Sequence, residues 1–465
     1  MSNENLAYAS VDELSRLLET RSISSSELVS NWLARIERYE SKLHAFVAVY
    51  AEEARQAAQA ADKARDAGHQ LGPLHGIPIA VKDLVEFEGH ITTGGSQVNA
   101  QRVSSYTATL IKRMIAVGMI VIGKTHTVEF AAGGWGTNQH LGTPWNPWDP
   151  TTHRAPGGSS AGSGVAVAAG LAPWAIGTDT GGSVRLPSSW CGLTGLKTTI
   201  GRISVHGVLP LSPTLDTPGP MGHCVEDVAE LYVVMSGPDQ NDFRTLLASP
   251  SDPRPEMRKG VRGLRLARLG ETDLEPVSSD VRIAYESAIV VLEAQGAEIS
   301  VVDLNWDFAE MAATVGKIFA AEGYSFYGHL VDDAELPLDE DVRKRLQPGK
   351  QMSATDYLQV LRSRQVLKQK VDAQLEAFDA LLTPTTLTAA PVVEFIDQTQ
   401  SPAWFTRATN LLERCAVCLP NGFSPTGLPL SLQIMCRGYD EAMALRIAWA
   451  YQSGTDWHRR RPTLD

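Results

Sequence analysis

The spacing of apolar residues changes near residue 70, and the two spacings predict different structures. Before this point apolar side chains recur every three or four positions, as they do on one face of a helix. The clearest run follows Ser24 and Glu27, which match a capping box. Its apolar positions are Leu28, Trp32, Ile36 and Tyr39. We therefore expect an N-terminal helical segment over residues 1–70 that packs outside the core or forms an interface.

Beyond residue 70, apolar runs of strand length alternate with helical segments. The predicted strands cover residues 77–81, 119–122, 174–177, 264–269, 299–304, 380–382 and 430–434. The predicted helices cover residues 107–117, 161–170, 281–295 and 441–452, and residues 306–378 are mostly helical. Such alternation is typical of an α/β fold, in which helices cover both faces of a sheet. The chain has no internal repeat, so we expect one large domain.

The composition is that of a globular chain with a large core, and it restricts the expected partners. Of the 465 residues, 43% are hydrophobic and 20% are charged. The net charge of −12 argues against a nucleic-acid surface, which would need clustered Lys and Arg. No apolar stretch reaches the roughly 20 residues of a membrane helix, and the N-terminus lacks the features of a signal peptide. We expect a cytoplasmic protein without a nucleic-acid partner or membrane contact.

The five cysteines indicate neither a disulfide framework nor a metal site. Cys415 and Cys418 have CxxC spacing, but apolar residues surround them and no second cysteine or histidine pair accompanies them. We expect both thiols to be buried structural groups. We expect neither a metal nor a cofactor.

Residues 156–188, PGGSSAGSGVAVAAGLAPWAIGTDTGGSVRLPS, carry the strongest candidate chemistry. Glycines frame two serines, Ser159 and Ser183, at the two ends of this segment. Glycine lets the backbone approach a ligand closely, and a serine beside free N–H groups combines a nucleophile with an oxyanion hole. The alternative is two glycine-rich turns around a packing helix. Because both turns are joined by one apolar helix–strand unit, the pattern favours catalysis.

A lysine follows an earlier predicted strand. Lys82 comes directly after the apolar residues 77–81, and in open α/β sheets sites form at the carboxyl ends of strands. Most lysines are solvated cations. Apolar surroundings would instead remove water from the ammonium group, which lowers the pKa of a lysine and makes it a base near neutral pH.

A second interpretation of the serine segment uses Ser160. Residues 158–162, GSSAG, match the G-x-S-x-G nucleophile elbow of α/β-hydrolases. That mechanism needs an acid and a histidine further along the chain. Histidines are available at His206, His223, His329 and His458. Because this interpretation leaves Lys82 and the segment GTDTGGSVR without a role, an esterase using Ser160 is the weaker alternative.

Lys82, Ser159 and Ser183, in this order and with these flanking motifs, resemble the amidase signature family of serine hydrolases. The resemblance runs over most of the chain. Its motifs are HGIPIAVKDL, GGSSAGSG, GTDTGGSVRLPSSWCGLTGLKTT, DALLTP at residues 379–384 and GLPLSLQI at residues 427–434. It implies the amidase signature fold, with a mixed twisted sheet covered by helices on both faces. It also implies a catalytic core over about residues 71–230 and a variable, largely helical substrate-side region over about residues 240–380.

The resemblance implies a role for each catalytic candidate. Ser183 is the implied nucleophile, Ser159 the bridging serine and Lys82 the general base. The developing oxyanion would accept hydrogen bonds from backbone N–H groups. The implied donors are those of Thr180, Gly181, Gly182 and Ser183. The peptide bond between Gly158 and Ser159 is expected to be cis.

Three further residues receive supporting roles. We expect Asp179 and Arg185, which flank the nucleophile loop, to organise that loop through a buried ion pair. Direct contact of Arg185 with substrate is the secondary interpretation. Trp135, on the glycine-rich segment GGWGTNQ, is a candidate wall of an apolar acyl or aryl pocket, with ordinary packing as the alternative.

The sequence departs from the family pattern at three places. Ala161 stands where glycine is more frequent, and Thr198 replaces a frequent proline. Residues 410–420, NLLERCAVCLP, depart from the usual small-residue pattern beside the substrate. Because of this last departure, the resemblance does not identify the substrate.

These features predict an amidohydrolase that cleaves the carbon–nitrogen bond of a small amide, anilide or carbamate through an acyl-enzyme on Ser183. The expected partner is a small-molecule substrate, and a homodimer is left open. One alternative is an amidase-type component of a larger assembly, such as the amidotransferase that modifies mischarged tRNA, whose amidase component shares this fold. Copurification with a companion chain would favour this alternative.

Overall fold

An eleven-stranded mixed sheet runs through the residues that the computed structural model describes, 6–249 and 251–464. The strands are β1 (Phe46–Val49), β2 (Pro78–Lys82), β3 (Ile120–Thr125), β4 (Trp174–Asp179), β5 (Thr194–Lys197), β6 (Thr217–Gly222), β7 (Arg265–Arg268), β8 (Glu298–Val301), β9 (Ala380–Pro384), β10 (Cys415–Phe423) and β11 (Pro429–Cys436). They lie side by side in the order β1, β3, β2, β4, β6, β5, β10, β11, β9, β7, β8. One continuous sheet confirms the predicted single large α/β domain. The finer division at about residues 70, 230, 240 and 380 stays a prediction.

Helices cover both faces of this sheet. They are α1 (Val11–Glu19), α2 (Ser25–Leu43), α3 (Ala51–Asp66), α4 (Thr109–Ala116), α5 (Ala161–Ala168), α6 (Arg185–Trp190), α7 (Val225–Met235), α8 (Arg254–Met257), α9 (Ser279–Ala294), α10 (Phe308–Val331), α11 (Glu340–Leu346), α12 (Ala354–Gln374), α13 (Thr406–Leu411) and α14 (Glu441–Ser453). Within the described residues, none of these helices has both the length and the apolar character needed to cross a bilayer.

The N-terminal helices pack into the core, whereas the sequence predicted that they lie outside it or form an interface. Helix α2 begins with the predicted capping box: Ser24 Oγ accepts from the Glu27 N–H (3.1 Å), and the Glu27 carboxylate accepts from the Ser24 N–H (2.8 Å). Trp32 on its apolar face is fully buried and belongs to the same hydrophobic cluster as Ile79 and Val81 of β2. Helical periodicity identifies an apolar face but not the surface that covers it.

Parallel pairing brings the candidate residues to one edge of the sheet. Strand β2 pairs in parallel with both β3 and β4, so the three strands end on the same side. Lys82 is the last residue of β2, and Asp179 is the last residue of β4. The carboxyl edge of parallel strands is where α/β proteins build their sites.

Strand β6, with the sequence TPGPMG, is a strand that the sequence pattern does not predict. Proline has no N–H to donate and is normally excluded from the middle of a sheet. Here β6 pairs with β4 over six residues, but it pairs with β5 only through Met221 and Gly222. Pro218 and Pro220 therefore lie beyond the part of β6 that β5 covers. The sequence pattern also fails to predict β1, β5 and β10.

The CxxC pair lies inside strand β10. Cys415 and Cys418 are both fully buried. The Cys415 thiol donates to the carbonyl oxygen of Arg437 (3.1 Å), and the Cys418 thiol to that of Arg185 (3.6 Å). The prediction that these cysteines are buried structural groups is confirmed.

Candidate active site

The ammonium group of Lys82 lies in a fully buried polar site at the end of β2. Its Nζ donates to Ser159 Oγ (2.7 Å) and to Thr178 Oγ1 (2.8 Å). Burial lowers the pKa of Lys82 from 10.5 to about 7, although the carboxylates of Asp179 and Asp216 oppose this change. The neutral amine is therefore accessible near neutral pH, which a general base requires.

Ser159 is fixed through its backbone while its hydroxyl contacts Lys82. The Gly158–Ser159 peptide bond is cis, as predicted. The Ser159 carbonyl oxygen accepts from the Val128 N–H (3.1 Å) and from Thr127 Oγ1 (3.0 Å). A Cβ atom on residue 158 would lie 2.6 Å from the backbone nitrogen of Gly136, so this close approach requires glycine.

Ser183 lies between β4 and α6, on the wall of a cavity of about 400 Å³. Its carbonyl oxygen accepts from the Ser160 N–H (3.3 Å), which ties the two serine loops together. Within the described part of the chain, no hydrogen bond joins the hydroxyls of Ser159 and Ser183. In enzymes without substrate such catalytic hydrogen bonds are often long and form only in the complex.

The Asp179 carboxylate holds the loop that carries Ser183 in place. It accepts from the N–H groups of Gly182 (2.8 Å) and Val184 (3.2 Å). It also forms a two-point ion pair with Arg185, with N–O distances of 2.9 and 3.0 Å. Burial opposes ionisation, but the Arg185 guanidinium lowers the pKa of Asp179 to about 2. The predicted buried ion pair is present, and Arg185, whose side chain is 0% exposed, is not among the residues that line the cavity.

The geometry corrects the predicted set of oxyanion donors. The Gly182 N–H donates to Asp179, so it is not available to substrate. The N–H groups of Thr180, Gly181 and Ser183 make no hydrogen bond to any other described residue. Gly182 has φ of +135°, and a Cβ atom there would lie 2.4 Å from Thr406 Oγ1. Glycine is therefore required at this position by the backbone conformation of the loop and by its close contact with Thr406.

Three residues of this site were missed from the sequence. Asn410 donates to Asp179 (2.9 Å) and accepts from Arg185 (2.6 Å). Asp216 accepts from the Thr180 hydroxyl (2.5 Å) and thereby contacts the loop that carries Ser183. Thr178 lies inside the motif GTDTGGS, which is a local signal for its role. Asn410 begins the segment 410–420 that departs from the family pattern, but it was given no role from the sequence. Asp216 comes from a distant part of the chain and carries no local signal.

Ser160 does not face the cavity. Its hydroxyl donates to the carbonyl oxygen of Thr178 (3.3 Å) and accepts from the N–H of the same residue (3.2 Å). The side chain is fully buried. Among the described residues, no histidine hydrogen-bonds to it.

Trp135 lines the same cavity as Ser183. Its indole N–H donates to the carbonyl oxygen of Gln400 (3.1 Å), and its ring stacks on Trp190 with centroids 5.7 Å apart. Its part in substrate selection stays a prediction. Two arginines on the cavity wall, Arg345 and Arg407, were not singled out from the sequence.

We predict that Asp179→Asn will destabilise the fold strongly. The variant would leave the Arg185 charge buried without its partner, and breaking a buried ion pair in this way costs about 3–5 kcal/mol. Asp12→Asn is the matched control, because it removes an ion pair with Arg16 in which the carboxylate is 76% exposed. Urea unfolding of the two variants measures the difference. Equal stability of both would show that the loop does not depend on the buried pair.

The sheet and the buried lysine–serine pair at its edge define an enzyme of the amidase type. The family model of the amidases matches residues 27–445. The chain therefore belongs to the amidase family, whose enzymes act on carbon–nitrogen bonds.

Curated and solved relatives cover the whole chain. A glutamyl-tRNA(Gln) amidotransferase subunit of Chloroflexus aggregans is 36% identical, over 99% of both chains. The solved structure of a glutamyl-tRNA(Gln) amidotransferase subunit from Thermotoga maritima aligns with a TM-score of 0.82 and 29% identity, over 100% of this chain and 98% of that one. The peptide amidase PAM, solved with the competitive inhibitor chymostatin, aligns with a TM-score of 0.86 and 27% identity, over 98% and 99%.

The prediction that the chain has no nucleic-acid partner is wrong. Three curated relatives, at 35–36% identity, are named as subunits of a glutamyl-tRNA(Gln) amidotransferase. The prediction relied on the net charge of −12. A net charge is a sum over the whole chain. It therefore does not exclude a local basic surface or contacts made through companion subunits.

Proposed function

We propose that the chain cleaves the carbon–nitrogen bond of an amide through an acyl-enzyme on Ser183. The observation that carries this proposal is the 2.7 Å hydrogen bond from the buried Lys82 amine to the Ser159 hydroxyl. This pair lies beside the loop that presents Ser183 to the cavity. Because the pKa of Lys82 is about 7, much of this amine is neutral near neutral pH. The neutral amine can accept a proton from the Ser159 hydroxyl.

In the proposed reaction, neutral Lys82 accepts the Ser159 proton while Ser159 accepts the Ser183 proton. Ser183 Oγ forms a bond to the amide carbon, and the carbonyl oxygen becomes an oxyanion. The unpaired N–H groups of Thr180, Gly181 and Ser183 are the candidate donors to it. The tetrahedral intermediate then releases the amine, which takes the proton from the relay. Water cleaves the resulting ester by the same relay and regenerates Ser183.

We further propose that this amide cleavage belongs to an amidotransferase assembly. The support is that the relative from Chloroflexus aggregans, which is named as part of such an assembly, aligns with this chain over 99% of both lengths. In such an assembly the amide donor would be cleaved at Ser183 and the released nitrogen used by another subunit. A solitary hydrolase of small amides, as expected from the sequence, is the competing proposal.

Copurification separates these two proposals. We predict that the chain, tagged at its C-terminus in its own cells, will copurify with companion chains. We also predict that ammonia release from glutamine will be several-fold faster in that complex than with the isolated chain. The same complex with Ser183→Ala is the control, because it should assemble but release no ammonia. Full amide turnover by a chain that purifies alone would instead support the solitary hydrolase.

A further inference from the structure

A carboxylate at the same edge of the sheet as Lys82 has no cationic partner. Strand β6 runs antiparallel to β4 with Thr217 opposite Asp179, so β6 begins at the edge where β4 ends. Asp216 directly precedes Thr217. In the described part of the chain, no lysine or arginine forms an ion pair with Asp216. Its negative charge is therefore available to a cation that forms nearby.

Three neutral donors hold the Asp216 carboxylate beside the loop that carries Ser183. Its Oδ1 accepts from the Thr180 hydroxyl (2.5 Å). Its Oδ2 accepts from the N–H groups of Leu211 and Ser212, each at 2.8 Å. Burial raises the pKa of Asp216 to about 6, so the group is mostly an anion at neutral pH.

The proposed relay produces a cation in surroundings that do not neutralise it. When neutral Lys82 accepts the Ser159 proton, its amine becomes an ammonium in a fully buried site. Among the described residues, its Nζ bonds only to the hydroxyls of Ser159 and Thr178. A buried cation without a counter-charge is costly, so a nearby anion favours the step that forms it.

The other charged groups around Lys82 and Asp216 do not supply this counter-charge. Two neighbouring ion pairs are internally balanced: Asp179 with Arg185 (2.9 Å) and Asp83 with Lys124 (3.4 Å). On helix α10, Glu322 accepts from the Ser212 hydroxyl (2.5 Å), and as a like charge it adds to the effect of burial on the pKa of Asp216. Burial also raises the pKa of Tyr327 on this helix, so its hydroxyl is neutral.

We propose that Asp216 is a positioning residue whose negative charge stabilises the Lys82 ammonium while the oxyanion forms on the substrate. A small cavity of about 10 Å³ connects the two groups, because its wall includes Asp216, Thr180 and Thr178, the last of which accepts from Lys82. The aspartate of a Ser-His-Asp triad acts in a similar way, since it stabilises the imidazolium without taking the proton. The inference rests on the proposed relay through Lys82.

Asp216→Asn tests this role through the pH at which Ser183 becomes reactive. The amide keeps the size of the carboxylate and can bond to the same three groups, so folding should be preserved. A fluorophosphonate reacts with activated serines, and its rate constant for labelling Ser183 should rise with pH about one pH unit lower than in the wild type. The plateau of this rate constant should fall by about tenfold, because the ammonium has lost its counter-charge.

Two further variants separate the charge of Asp216 from its structural contacts. Thr180→Val removes the hydrogen bond to the loop but leaves the charge, which the N–H groups of Leu211 and Ser212 still hold, so the midpoint should move much less. Asp239→Asn is the matched control, because Asp239 also accepts from two hydroxyls, those of Thr109 and Ser204 (2.6 Å each). Its midpoint should equal that of the wild type. The proposal is overturned if Asp216→Asn leaves the midpoint unchanged, or if Thr180→Val lowers it equally.

A stability measurement separates this proposal from the proposed chemistry. Urea unfolding of the wild type, Asp216→Asn, Lys82→Met and the double variant gives the coupling between the two groups without any turnover. At pH 6.5, between their pKa values of about 6 and about 7, the coupling should change the unfolding equilibrium by about threefold, and at pH 10 it should vanish. No coupling at either pH would refute the counter-charge and leave the relay untouched. Coupling at pH 6.5 with a labelling rate that does not depend on pH would support the interaction and refute the relay.

Discussion

Ser183→Ala should lower kcat by about 10⁴-fold or more, because loss of the nucleophile removes the covalent route entirely. The residual rate would come only from binding and oxyanion stabilisation. The substitution removes one oxygen from a side chain that lines the cavity, so folding should be preserved. Ammonia release from an amide panel measures the effect, and thermal unfolding verifies the fold.

Ser160→Ala is the matched control, because it removes a serine hydroxyl from the same pair of loops. That hydroxyl bonds only to the backbone of Thr178, so its loss should reduce stability modestly and leave activity within about tenfold. A fluorophosphonate, which phosphorylates activated serines, provides a readout that does not depend on knowing the substrate. It should label the wild type and Ser160→Ala but not Ser183→Ala. The reverse pattern would establish the nucleophile-elbow interpretation and overturn the relay.

The sequence predicts those parts of this site whose signals are local. The apolar run before Lys82 predicts a buried strand that ends in a desolvated lysine, and the structure shows both. The glycines around Ser159 predict tight backbone contact, and the Gly136 nitrogen lies within 2.6 Å of where a Cβ on residue 158 would be. These features can be predicted because each depends on the backbone conformation at one place in the chain.

The missing parts depend on contacts between distant segments. The Gly182 N–H was expected to bind substrate, but Asp179 occupies it, and no local pattern distinguishes one loop N–H from its neighbours. Arg407 belongs to a short helix, and Gly181, against which it packs, lies more than 200 residues earlier in the chain. Strand β6 was not predicted because it contains two prolines, which argue against a central strand. The structure accommodates them where β5 does not pair with β6.

For the wild type, kcat/KM should rise with pH and level off above about pH 7. The proposed relay uses Lys82 in its neutral form, and the pKa of about 7 sets the pH at which that form becomes dominant. Asp216 has a pKa of about 6, raised mainly by burial, so it also titrates in this range. Asp216→Asn should keep the rise but move it to lower pH, because the lost carboxylate raises the pKa of Lys82 in the wild type. A rise that persists in this variant assigns the titration to Lys82. A rate that is flat from about pH 5 to 9 would contradict a lysine base.

Lys82→Met should lower kcat/KM by about 10²–10⁴-fold and remove its rise near pH 7, because the variant has no general base. Stability supplies an independent readout of the same group. The pKa of Lys82 is about 7 in the folded chain against an ordinary value of 10.5. Between these values the unfolded chain binds more protons, so this group makes the free energy of unfolding increase as the pH rises. Urea unfolding at pH 7 and pH 10 should show this increase in the wild type and a smaller one in Lys82→Met. An equal increase in both would mean that Lys82 keeps its ordinary pKa in the folded chain and stays charged across most of the range, and therefore is not the base.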